Sequence, residues 1–276
     1  MHKEFVLRAA KAGKHSLCEK PMATSSADAK RMVEGCRDAR RLLMIAYRCQ
    51  YEPYNRKVID LLRQQKYGAA KLIRAVNVQN MAAPEQWRLK RAMAGGGSLP
   101  DVGIYCLNAA RYLTGEEPVE IYARIATTPN DPRFREVEET VSFSLRFPGG
   151  VIADCATSYG MHESRYLHVH TDSASFQLEN AFAYEGQQLR VSHRDGRAES
   201  IDQMRLSQKD QFALEIDHMA DCILNNRKPH TPGEEGVQDH LLMEAIYKAA
   251  ATNRPVSLPK VERKDVTRGP GPERES

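Results

Sequence analysis

From Val119 onward, apolar and polar residues alternate one for one. Val119, Ile121, Ala123 and Ile125 are separated by Glu120, Tyr122 and Arg124, and Val141, Phe143, Leu145 and Phe147 by Ser142, Ser144 and Arg146. A period of two sends successive side chains to opposite faces of a strand. It suits an antiparallel sheet with one packed face and one open face. Pro148-Gly149-Gly150 supplies the turn to a returning strand at 151–158. Further strands are expected at 72–79, 166–171, 175–178 and 188–192, and helices at 208–224 and 237–251.

The first 47 residues follow a different rule. A helix at 2–12 stops at Gly13, and a short strand at 15–18 runs into Glu19-Lys20-Pro21. Ser25 with Asp28 three residues on resembles a capping box with a shorter acid. Ala29, Met32, Val33 and Cys36 then mark one helix face. The near-continuous apolar run at 42–47 suits a strand covered on both faces, as in parallel sheets. Two such strands are too few for a stable layer. The chain is therefore expected to begin partway through a doubly wound domain.

Composition narrows the function classes. The chain has 276 residues, 41% of them hydrophobic, enough for a packed core. Forty basic against 36 acidic side chains give a net charge of +4, which does not point to nucleic acid. No apolar run approaches the roughly 20 residues of a membrane span, and the start does not read as a secretion signal. Six scattered cysteines without CxxC pairs read as reduced, buried residues of a cytoplasmic protein. His168 and His170 share a strand face near His162, but no Cys or carboxylate completes a ligand set, so no metal is expected.

Two stretches carry chemistry. Glu19-Lys20-Pro21 sits where ligands bind in open α/β sheets, at the carboxyl end of a parallel strand. Gly95-Gly96-Gly97 leads into a helix whose one face carries Asp101, Tyr105, Asn108 and Tyr112. The glycines would let the backbone pass close to a ligand or a second helix. A tyrosine acid/base needs a neighbouring cation, since its ordinary pKa is about 10. Lys20 fits that part, with Asp101 orienting the pair.

In order and spacing these motifs resemble the glucose–fructose oxidoreductase / inositol dehydrogenase (Gfo/Idh/MocA) family. Glu19-Lys20-Pro21 matches its Glu-Lys-Pro tripeptide. Asp101-Val102-Gly103-Ile104-Tyr105 matches its Asp-x-Gly-x-His/Tyr motif. The likeness continues through Tyr47-Arg48, Trp87-Arg88, Asp217-His218 and Pro232-Gly233-Glu234-Glu235-Gly236. It implies an incomplete Rossmann domain (1–50), a substrate and dimerisation domain with a large, mostly antiparallel sheet flanked by helices (51–258), and a disordered tail (259–276). It further implies hydride transfer between a sugar-like alcohol and NADP or NAD. Lys20, Asp101 and Tyr105 would be catalytic and, with Asn108, touch substrate. Glu19, Lys20, Pro21, Arg48, Trp87 and Arg88 would be cofactor contacts.

Tyr105 and Asn108 resemble the tyrosine branch of the family, which favours aldopyranoses oxidised at C1, with a diol or polyol as another substrate. A homo-oligomer built through the open sheet face is expected. The family's leading Gly-x-Gly-x-x-Gly does not precede His2, so the chain resembles an N-terminally truncated member. That departure keeps two alternatives in view, a non-catalytic assembly module and an NAD-assisted glycosidase of the same fold.

Overall fold

The computed structural model describes residues 1–272. The chain opens with α1 (His2–Lys11), β1 (Ser16–Glu19), α2 (Ser26–Asp38), β2 (Leu43–Ala46) and α3 (Pro53–Arg63). Next come β3 (Ala70–Asn80), a short α4 (Arg91–Ala94), a π-helical turn at Leu99–Gly103 and α5 (Ile104–Thr114). The sheet strands follow as β4 (Glu120–Ala126), β5 (Thr140–Arg146), β6 (Ile152–Ser158), β7 (Gly160–Thr171), β8 (Ala174–Glu179), β9 (Gln188–Asp195) and β10 (Ala198–Met204). The chain then forms α6 (Gln211–Leu224), α7 (Gly233–Thr252) and β11 (Val256–Ser257).

β1 and β2 pair in parallel, Ser16 opposite Leu43, as a two-stranded sheet. All four residues of β2 are buried, which accounts for its unbroken apolar run. α2 starts on Ser25, whose hydroxyl accepts from the Asp28 amide. α3 starts on Glu52, whose carboxylate accepts from the amides of Tyr54 and Asn55, with Pro53 in the first turn where no donor is lost.

Nine strands form the second sheet, in the order β10-β9-β8-β7-β3-β6-β5-β4-β11. Every pairing is antiparallel except β3 with β6. Its inner face, including Ile73, Phe143, Leu167, Phe176 and Val191, is buried in the core shared with α3, α5 and α7. Its outer face carries Leu72, Arg74, Ser142, Asp154 and His170, so the alternation in sequence marks inside and outside. Beyond the expected strands, β10 pairs with β9 along a polar, partly exposed edge. Its apolar residue Ile201 is 64% exposed, so no buried face imposes a pattern there.

The tail differs from expectation over residues 259–272; residues 273–276 lie outside the described residues. Arg268 is buried. Its guanidinium pairs with Glu235 at 2.9 Å and donates to the Arg111 carbonyl. Thr267 donates to Glu235, and the Gly269 amide to the His230 carbonyl. A fully buried carboxylate needs positive partners, and the tail supplies one. No helix among the described residues is long and apolar enough to cross a membrane.

Candidate active site

The carboxyl end of β1 meets the start of α5. The Lys20 ammonium donates to the Asp101 main-chain carbonyl at 2.6 Å and to Asp101 Oδ1 at 3.2 Å. Asp101 lies in the π-helical turn preceding α5. The other carboxylate oxygen, Oδ2, accepts from Arg88 Nε at 3.1 Å and from the Tyr159 hydroxyl at 2.6 Å. Burial would raise the Asp101 pKa. The charge of Lys20, the Tyr159 hydrogen bond and the charge of Arg88 outweigh it and hold the carboxyl below the ordinary aspartate range. Burial would likewise discharge Lys20, but the electrostatic pull of Tyr105 and Asp101 raises its pKa and keeps it an ammonium.

Tyr105 stands one turn further along. Lys20 Nζ lies 4.7 Å from its ring centroid and the Arg48 guanidinium 5.0 Å. Burial raises the phenol pKa, and the two cations work against that rise. Phe182 closes one side of the ring, with centroids 5.9 Å apart.

The glycines allow close packing within the protein. A Cβ on Gly96 would strike the Tyr247 hydroxyl of α7, and one on Gly97 the Glu138 carbonyl. The second-helix alternative is the one realised. Glu138 Oε1 accepts from the Gly97 amide at 2.9 Å, the Leu99 amide at 3.1 Å and the Tyr247 hydroxyl at 2.9 Å. Asn77 and Thr157 bind the carbonyls of Val102 and Ser98 and fasten the same turn to the sheet.

The remaining expected contacts divide. Glu19 is exposed at the strand end, and the Lys20–Pro21 peptide beside it is cis. Trp87 is 48% exposed, with Arg88 stacked 4.6 Å from its ring centroid. Arg88 turns inward to Asp101 rather than outward to a cofactor. Arg48 is held by the protein's own groups. It is buried, and donates to the carbonyls of Phe182 and Ala183 and to Gln211 Oε1.

Asn108 is bound by internal polar groups. Its amide donates to Glu235 and Asp239 and its Oδ1 accepts from Gln50, all in the interior. With Lys20 and Tyr105 it lines a cavity of about 10 Å³. Asn108 thus faces a buried ionic cluster, in which Arg111 pairs with Glu117, Glu235 and Asp239, while the Tyr112 hydroxyl donates to Asn55. Reading the sequence missed Tyr159, between β6 and β7, Glu138, just before β5, and Gln211, the first residue of α6, single residues with no spacing relation to the motifs.

Two family models match this chain. Residues 1–47 match the oxidoreductase family with an NAD-binding Rossmann fold, and residues 55–177 match the GFO/IDH/MocA C-terminal domain. The chain is 33% identical over 264 residues to a D-xylose 1-dehydrogenase [NADP(+)] of Haloarcula marismortui, covering 94% of this chain and 72% of that one. It is 28% identical to a 1,5-anhydro-D-fructose reductase of Ensifer adhaerens, covering 94% and 77%. The crystal structure of an aldose-aldose oxidoreductase from Caulobacter crescentus, complexed with glycerol, superposes with a TM-score of 0.88 at 42% identity, covering 93% and 76%. The chain belongs to the Gfo/Idh/MocA family of oxidoreductases. It has the chemistry of an NAD(P)-dependent dehydrogenase acting on an alcohol carbon.

The described residues fit one end of that cofactor. Lys20 and Tyr105 stand ready at the end of β1, where a nicotinamide and an alcohol would meet. Among the described residues, no glycine-rich turn links a strand of the two-stranded sheet to a helix N-terminus, the usual pyrophosphate cradle.

Proposed function

We propose that this enzyme oxidises the C1 hydroxyl of an aldopyranose to a lactone, or runs the reverse reaction. The observation that carries the reading is the grip of Asp101 on Lys20 beside the Tyr105 ring. An ammonium has three N–H donors, and Asp101 takes two. The third is left for the substrate oxygen and stabilises the negative charge that builds there. Tyr105 receives the hydroxyl proton as the phenolate, having first released its own proton to solvent. Lys20 and Arg48 work toward that form against burial, which on balance leaves the phenol pKa raised. Asp101 anchors Lys20 rather than touching sugar. The nicotinamide, when bound, accepts the hydride. The tyrosine at 105 and the names of the similar proteins support an aldose over other alcohols.

The test is a panel of aldoses and acyclic polyols with NADP and with NAD, with products identified by mass spectrometry. Lactone formed from pyranoses supports the reading; turnover of acyclic polyols alone overturns it.

The open face of the large sheet is the surface we assign to self-association. Leu72 lies opposite Ile152, and Val76 opposite Ala156 and Tyr166, two short apolar strips across the central strands with the Arg74–Asp154 pairing between them. Ile152 is 44% exposed. All six cysteines are free and buried, which supports a reducing, cytoplasmic setting.

A further inference from the structure

Tyr159 is the single residue between β6 and β7 and is held at both of its main-chain groups. Its amide donates to the Glu139 carbonyl at 3.0 Å, and its carbonyl accepts from the Met81 amide at 2.8 Å. The side chain is fully buried in a cluster with Met81, Leu89, Val102, Phe134 and Val137. These neighbours are apolar, and a phenylalanine ring would fill the same space. A hydroxyl buried there costs free energy unless it is hydrogen-bonded. Its partner is Asp101 Oδ2, at 2.6 Å.

Asp101 is therefore held from three sides. Lys20 has Oδ1, while Arg88 and Tyr159 share Oδ2. The Arg88 side chain is 38% exposed and makes its contact through Nε from a short loop helix. Tyr159 reaches the carboxylate from the tight connection between two sheet strands, where both of its main-chain groups are hydrogen-bonded. It is the rigid member of the pair.

We propose that Tyr159 is a positioning residue for hydride transfer. Its hydroxyl fixes the Asp101 carboxylate plane, so that Oδ1 and the main-chain carbonyl of Asp101 hold two Lys20 protons and aim the third at the substrate oxygen. Tyr159 itself touches no substrate. The proposal rests on the reading of Lys20 and Tyr105 as the reacting pair, and its first test does not depend on turnover.

That test follows the Asp101 carboxyl by carbon NMR in protein labelled at aspartate, with its signal assigned by loss in Asp101→Asn. In the unmodified protein it titrates below the ordinary aspartate value. Tyr159→Phe is expected to raise that midpoint by about one pH unit, a tenfold change in proton affinity or about 1.4 kcal/mol. A purely structural tyrosine would lower the melting temperature and leave the midpoint in place, and that result overturns the proposal. Should Tyr159→Phe fail to fold, Arg88→Met serves. With Tyr159 kept, Asp101 should stay below the ordinary value, and a return to that value would contradict the proposal. Where turnover is measurable, Tyr159→Phe should lower kcat about tenfold with KM nearly kept, the sign of an interaction made in the transition state. If no variant and no parent shows hydride transfer, the functional reading fails while the carboxyl titration still decides the role of Tyr159.

Discussion

Lys20 and Asp101 are 81 positions apart in sequence, yet the lysine ammonium sits 2.6 Å from the aspartate's main-chain carbonyl. That contact joins the parallel two-stranded sheet to the helix that carries Tyr105. It also fixes a sign for pH dependence. The electrostatic pull of Tyr105 and Asp101 raises the Lys20 pKa against the lowering effect of burial. In Asp101→Asn the carboxylate is gone and burial has less to oppose it. The Lys20 pKa falls, and the alkaline loss of kcat/KM begins at lower pH. An alkaline limb that does not move in this variant would show that Lys20 does not act as an ammonium.

His240 gives a second pH effect, on stability. Its Nε2 accepts from the Ala23 amide at 3.1 Å, which requires the neutral ring, and burial lowers its pKa to about 4. An unfolded histidine titrates near about 6.5, so between those values the unfolded chain binds a proton that the folded chain refuses. This contribution is complete above the unfolded value and is lost as pH falls toward about 4, with a slope of up to about 1.4 kcal/mol per pH unit. Denaturant unfolding of His240→Gln, whose side-chain oxygen can take the same amide, should show a shallower slope. An equal slope would assign the acid sensitivity elsewhere.

The tail should matter for stability. Glu235 is fully buried between Arg111 and Arg268. Breaking one arm of a buried ionic group typically costs about 3–5 kcal/mol. Arg268→Ala and a chain ending at residue 258 should both unfold at lower denaturant, by similar amounts. A chain ending at 258 with unchanged stability would mean that Arg111 alone balances Glu235.

The outer face of the sheet predicts a change of assembly. Ile152→Glu places a charge in the apolar strip formed with Leu72. It should shift the sedimenting species toward monomer without altering the circular dichroism spectrum. A species of unchanged mass would remove this face as the interface.

Much of this architecture could be read from the residues. Period two marked the sheet because one face is buried and one is not, and the apolar run of β2 marked a strand covered on both sides. Lys20, Asp101 and Tyr105 could be singled out because each lies in a compact motif, and the structure brings the three together. Other features depend on where the chain returns in three dimensions. Asn108 shares a helical face with Tyr105, but Glu235 and Asp239, more than a hundred positions away, turn that face into interior. The three glycines fit a ligand or a helix equally well until Tyr247 and Glu138 are placed against them. A polar, charged tail reads as disordered unless a buried carboxylate elsewhere is known to need it.

The central claim is that Tyr105, beside Lys20, moves the substrate proton during hydride transfer. The most direct measurement is aldose-dependent formation of reduced nicotinamide by the unmodified protein and by Tyr105→Phe, with both confirmed folded. The account predicts a loss in kcat of about 100-fold or more, the scale of a missing acid/base. A Tyr105→Phe protein that keeps its rate would contradict it.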